Sequence, residues 1–208
     1  MLLYEHHQTK SARPAGFFLP FLSNRVYTIS MQTYISMLRG INVSGQKKIR
    51  MADLKSLYES LGFENVQTYV QSGNVVFDSE EQDAIKLRRT IEAQVKSTFG
   101  FSVPILIRTG DDFQRIIKRH PFKYEEAIRV LITFLYEVPE QSKWDELSCY
   151  TDEVDQFVLG EQEVFLYCPG GYGKTKLSNT FFEKKLGVIC TTRNWKSVNA
   201  LYKMVSER

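Results

Sequence analysis

Tyr69-Val70-Gln71-Ser72-Gly73-Asn74-Val75-Val76-Phe77 is a run of strand formers interrupted by a polar stretch that holds one glycine. Val66 to Val70 and Asn74 to Phe77 therefore read as two strands folded back across Ser72-Gly73. Upstream, Tyr34 to Leu38 is a further strand, and Met51, Leu54, Leu57, Tyr58 and Leu61 recur at helical spacing until Gly62 supplies a stop. Downstream, Ser79 and Gln82 have capping-box spacing ahead of Ile85, Leu87, Ile91, Val95 and Phe99, and Val103 to Ile107 forms a last strand. The order strand, helix, strand, strand, helix, strand is the split, ferredoxin-like α+β plan.

The rest of the chain repeats that plan. Thr109 is placed to cap a connecting helix with Phe113, Ile116 and Ile117 on its buried face, and His120-Pro121 ends it. Val130 to Tyr136 is so continuously apolar that both faces of the strand must be covered. A helix around Trp144 and Leu147, strands at Val154 to Leu159 and Glu163 to Tyr167, a helix ending at Leu186-Gly187 and a strand from Val188 complete the second unit. Val198, Leu201 and Tyr202 mark a final helix. No residue-level repeat is visible, so the duplication is one of architecture. Residues 31–120 are expected to form the first ferredoxin-like subdomain with its connecting helix, and 121–208 the second with its C-terminal helix. Residues 1–30 are expected to be a leader with little fixed structure: their one apolar run, Phe17 to Leu22, is too short to span a bilayer and contains Pro20.

Several of these stretches also carry a resemblance. Leu38-Arg39-Gly40-Ile41-Asn42-Val43, Met51-Ala52-Asp53-Leu54, Leu61-Gly62-Phe63, the hairpin above, Ser178 through Leu186-Gly187-Val188, and Thr192-Arg193-Asn194-Trp195 stand in an order and spacing similar to the domain of unknown function 1697 family. The similarity covers Met31 to about Met204. It implies a fold and assigns no activity or catalytic residue.

Composition narrows the function classes. A 208-residue chain with 43% hydrophobic content can bury a substantial core. The net charge is +3, but the first thirty residues hold three of the basic and one of the acidic groups, which leaves 24 basic against 23 acidic groups in the body. Any nucleic-acid surface must then be local. Cys149, Cys168 and Cys190 are odd in number, widely spaced and set in apolar or strand-like runs, so they read as buried thiols of a reducing, cytoplasmic protein with no disulfide framework or zinc knuckle. His6 and His7 lie in the leader, so a histidine-based relay could use only His120, which reads as a capping or surface residue. Asp53 and Glu59, Asp111 and Asp112, and Glu125 and Glu126 occupy ordinary helix or linker positions, and no metal-ligand spacing or acid–base pair stands out.

Topology supplies the functional expectation. In a split unit the first strand ends where the second and third strands turn, so the Arg39 to Arg50 loop and the Gln71 to Asn74 hairpin should meet. Arg39, Asn42, Gln71, Ser72 and Asn74 then cluster, with Lys47 and Lys48 at the rim. In the second unit Lys174, Thr175 and Lys176 should lie near Arg193, Asn194 and Trp195. Amide and cationic donors beside glycine-rich backbone suit an anion, and with the halves packed edge to edge the two clusters would form one cleft between the subdomains for a negatively charged small molecule, phosphate-bearing compounds included. Each group also has a structural reading. Asn42, Gln71 and Asn74 can satisfy loop backbone, Arg193-Asn194 can be a strand-to-helix cap with Trp195 in the core, and Lys47, Lys48 and Arg50 can be a solvated face.

Cys168-Pro169-Gly170-Gly171-Tyr172-Gly173-Lys174-Thr175 imitates a phosphate loop, but Cys168 stands where the first glycine belongs and the strand before it is half of a hairpin. A looser phosphate contact by Lys174 and Lys176 fits better. Two other classes stay open: a metal-independent transferase using Lys174 or Arg193 for charge stabilisation, and a nucleic-acid or protein interaction module. An RNA binder of this fold needs aromatics exposed on its central strands, for which Tyr34, Tyr69 and Phe77 are the candidates. No cofactor is implied.

Overall fold

A computed structural model describes residues 30–43, 45–150, 152 and 154–208. The expectation for the leader falls almost wholly on residues outside these. The first half forms β1 (Gln32–Leu38), α1 (Met51–Ser60), β2 (Glu64–Tyr69), β3 (Asn74–Ser79), α2 (Ala84–Phe99) and β4 (Ile105–Thr109), followed by α3 (Gly110–Arg119). The second half forms β5 (Val130–Leu135), α4 (Gln141–Ser148), β6 (Gln156–Leu159), β7 (Glu163–Tyr167), α5 (Asn179–Leu186), β8 (Cys190–Asn194) and α6 (Trp195–Ser206). Each half builds a four-stranded antiparallel sheet, ordered β2-β3-β1-β4 and β6-β7-β5-β8. The chain is thus two ferredoxin-like α+β subdomains in tandem.

Local chemistry explains the elements. In α2, Leu87, Ile91 and Val95 fall on one face at i, i+4 spacing and all are buried. Its cap is Asp83, whose side chain accepts from the Ile85 and Lys86 amides, and not Ser79, which is the last residue of β3. Thr109 caps α3 as expected, in a reciprocal capping box with Asp112. His120 ends α3 but is buried against Trp195, at 4.2 Å between ring centroids, and against Phe165, so it is no surface histidine.

Alternation along the strands sends side chains into three cores. Tyr34, Leu38, Val75, Phe77, Ile105 and Ile107 face α1 and α2, and Leu131, Leu135, Val164, Leu166 and Cys190 face α4 and α5. The opposite faces, with Ile35, Met37, Val76 and Leu106 from one sheet and Ile132, Phe134 and Phe165 from the other, share a central core with α3 and α6. The halves therefore meet through their inner faces and not edge to edge. Tyr34 and Phe77 are core residues and Tyr69 packs against the central core, which removes the exposed aromatic platform an RNA-reading sheet would need. Cys168 and Cys190 are buried, but Cys149 is exposed, because it sits just past the C-terminus of α4 with its thiol turned to the Asp145 carbonyl. No helix among the described residues is long and apolar enough to cross a membrane.

Candidate functional site

A cavity of about 1140 Å³ opens where the end of β1 meets the second half. One wall is the loop after β1. Asn42, at a left-handed φ of 56°, donates from Nδ2 to the Ile49 and Gln71 carbonyls (2.9 and 2.8 Å), and its Oδ1 accepts from the Ile49 amide (2.9 Å). This clamp ties the loop to the β2–β3 hairpin, as does the Leu38 amide donating to the Gly73 carbonyl at 2.8 Å. Loop and hairpin meet as strand polarity requires. Asn42 and Gln71, however, line a smaller hollow with Lys48 and Arg50, away from the main cavity.

Arg39 lines the main cavity and crosses to the second half. Its Nε and Nη2 donate to the two oxygens of Glu183 at 2.6 and 2.7 Å, a bidentate pair. Glu183 Oε1 also accepts from the Cys190 amide at 3.1 Å, so the carboxylate joins α5, β8 and the first half. Ser178, Asn179 and Thr180 bring the first turn of α5, capped by Ser178, to the same space, and Gly187 brings its C-terminal cap, so the cavity runs along the helix. Lys47 stands at the rim and donates to the Ser102 carbonyl at 2.9 Å.

Arg193 is the central residue. It is 7% exposed, and every one of its N–H groups has an acceptor. Nε donates to Asn74 Oδ1 (2.5 Å), Nη1 to Thr191 Oγ1 (2.7 Å) and the Thr192 carbonyl (3.0 Å), and Nη2 to the Leu38 and Ser72 carbonyls (2.9 and 3.1 Å). All five acceptors are neutral. Burial pulls the guanidinium pKa down to about 10. Arg193 is therefore a cation that binds β8 to the first half and stays charged near neutral pH within the cavity wall. Asn74, fully buried, also donates to the Tyr69 carbonyl and Ser72 Oγ (3.1 and 3.0 Å), so it orients the hairpin and the arginine together.

The sequence expectation of Lys174 beside Arg193 is not met. Lys174, Thr175 and Lys176 line a separate hollow of about 550 Å³ with Asp152 and Asp155. The ends of β7 and β8 do lie at one sheet edge, opposite Val130 and Leu131. The chain after β7 then folds over the helical face, where the Tyr172 hydroxyl donates to Thr192 Oγ1 at 3.1 Å, whereas Arg193 points to the other face. Lys174 and Lys176 are thus not part of the cleft between the halves. Nor is there a phosphate loop: Thr175 Oγ1 accepts from the Leu177 amide, and α5 starts only at Asn179. Asn194 caps α6 by accepting from the Ser197 amide at 2.8 Å, and Trp195 packs on the central core. Of the residues expected to bind, Arg39, Ser72 and Arg193 line the cleft, with Asn74 behind it.

Glu183, Tyr172 and the first turn of α5 were not singled out by the sequence, nor was Arg108. Arg108 precedes the cap Thr109 as Arg193 precedes the cap Asn194, and that repeated arginine-then-cap pair was the available signal. Burial raises the Cys190 and Cys168 thiols to about 12 and about 11, so neither supplies a thiolate near neutral pH.

The family described as "Protein of unknown function (DUF1697)" matches residues 31–165. Among solved structures, the conserved bacterial protein SP0830 from Streptococcus pneumoniae is similar, with a TM-score of 0.70 at 22% identity, covering 85% of this chain and 99% of that one. That likeness is one of fold. A comparison with curated proteins found no match.

Proposed function

The chain belongs to the DUF1697 family of proteins of unknown function, and for the cleft between its halves we propose the binding of an anionic small molecule, with phosphate-bearing compounds as the leading class. The observation that carries the reading is the charge of the wall. Arg39, Lys47 and Arg193 line the cavity, and Glu183 is the one carboxylate among the described lining residues. Thr180, Thr192 and Tyr172 add polar groups for a hydroxylated body. The reading includes a cytoplasmic setting, supported by three unpaired cysteines, two of them buried.

Thermal denaturation with inorganic phosphate, sugar phosphates and nucleotides tests it. A ligand at about 100 times its Kd should stabilise the protein by about 2.7 kcal/mol. Lys47→Ala should weaken that stabilisation, and Lys174→Ala, in the separate hollow, should leave it intact. No stabilisation by any phosphate compound would remove the reading.

A further inference from the structure

We infer that the cleft selects a dianionic phosphomonoester over monoanions of the same shape, and that Asn74, behind Arg193, is the residue that sets this selectivity. The inference rests on the anion-binding reading above and is carried by a comparison within the molecule. The two halves are related residue by residue through strand register. Arg108 pairs with Ile35 in the first sheet and Arg193 with Ile132 in the second. Asn74 pairs with Met37, and Glu163 with Phe134. Ile35 and Ile132 stand at the same distance before Leu38 and Leu135, so Arg108 corresponds to Arg193, and Glu163 to Asn74.

The equivalent arginines reach across the molecule in the same way. Arg193 Nη2 donates to the Leu38 and Ser72 carbonyls, at the end of β1 and in the β2–β3 hairpin. Arg108 Nη2 donates to the Leu135 and Gln162 carbonyls (2.5 and 3.5 Å), at the end of β5 and in the β6–β7 turn. The surroundings differ in charge. The cavity at Arg108 is about 140 Å³, and Arg108, Arg115 and Arg119 are balanced there by Asp112, Glu161 and Glu163. At Arg193 the cavity is about 1140 Å³, the carboxylate of Glu163 is replaced by the amide of Asn74, and three cations face one carboxylate. One side of the pseudo-twofold is closed and neutral, and the other is open with two positive charges uncompensated. A buried cation lacking a counter-charge is unfavourable in the empty protein, and a ligand can supply that counter-charge. A phosphomonoester carries about −1.5 to −2 charges at pH 7, which matches the excess, whereas a sulfate monoester or a phosphodiester carries only one.

Methyl phosphate, methyl sulfate and dimethyl phosphate, titrated at pH 7.5 into the full chain and followed by protein NMR, share a tetrahedral head and differ in charge. Methyl phosphate should bind about tenfold more tightly than either monoanion. Asn74→Asp should collapse that ratio by restoring the carboxylate, and Glu163→Gln, on the closed side, should leave it unchanged. Binding of the monoanions within about threefold of methyl phosphate in the wild-type protein overturns the inference, leaves the anion-binding reading standing, and does so whether or not Asn74→Asp folds. A folded Asn74→Asp protein that keeps the wild-type ratio also overturns it. Absence of binding by all three probes at millimolar concentration removes both.

Discussion

Replacing Arg193 by alanine tests whether one buried cation holds the halves together. Three of its hydrogen bonds are fully buried: those to Asn74 Oδ1, Thr191 Oγ1 and the Leu38 carbonyl. The other two, to the Thr192 and Ser72 carbonyls, lie where water can take over. A charge-assisted hydrogen bond contributes roughly 1.5–3 kcal/mol, so losing the three buried ones removes roughly 4–9 kcal/mol. Against this stands the relief of burying the charge. A guanidinium pulled from 12.5 to about 10 carries a penalty of roughly 3 kcal/mol, which disappears with the side chain. The net expectation is a loss of about 4 kcal/mol, equivalent to a fall in Tm of roughly 8–16 °C for a chain of this size. Urea unfolding followed by circular dichroism and by tryptophan fluorescence measures it. Arg193→Met, which keeps the aliphatic volume but strands the same acceptors, should also destabilise strongly. A loss below about 1 kcal/mol in both variants would refute the idea that these bonds join the halves.

Two further outcomes follow from local geometry. Gly73 has a φ of +74°, and an added Cβ would lie 2.5 Å from Ile41 Cδ1 and 2.9 Å from Leu38 Cβ, so Gly73→Ala should cost about 3 kcal/mol in unfolding free energy. Gly45→Ala, at a φ of +76° with nothing within 4 Å, should cost only about 1 kcal/mol by the same assay. For His120, burial and then Lys123 lower the imidazole pKa below its ordinary 6.5. The unfolded chain therefore takes up a proton before the folded one does. The stability this group supplies is complete above about pH 6.5 and drains away as pH falls toward the lowered value. Urea midpoints between pH 7.5 and pH 5 should fall less steeply in His120→Phe than in the wild type, and equal slopes would disprove the assignment.

What could be read from the sequence was governed by local rules. Strand alternation, helical spacing and the Thr109 cap depend on neighbours in the chain, and they gave the element order and the meeting of the Arg39 loop with the hairpin. What could not be read was governed by facing direction and by packing between the halves. Arg193 lies in, and Lys174 follows, strands that end at one edge, yet one faces the central core and the other the outer hollow. Asn42 is a clamp because it adopts a positive φ, which no spacing announces. Ser79 gave way to Asp83 because β3 runs two residues beyond Phe77, to Ser79. Glu183 became a bridge only once the second half docked on the first. The matched pair Arg108-Thr109 and Arg193-Asn194 was present as text, but it acquires meaning only when strand register makes the two positions equivalent.

The middle layer, to which both sheets contribute, makes the halves interdependent in a practical sense. The family match stops at Phe165, inside β7. A polypeptide trimmed there would lose Val198 and Leu201 from that layer, along with Arg193. Ile35, Met37, Val76 and Leu106 would then stand partly uncovered, an invitation to clumping. The matched stretch therefore stops short of residues that complete this shared layer.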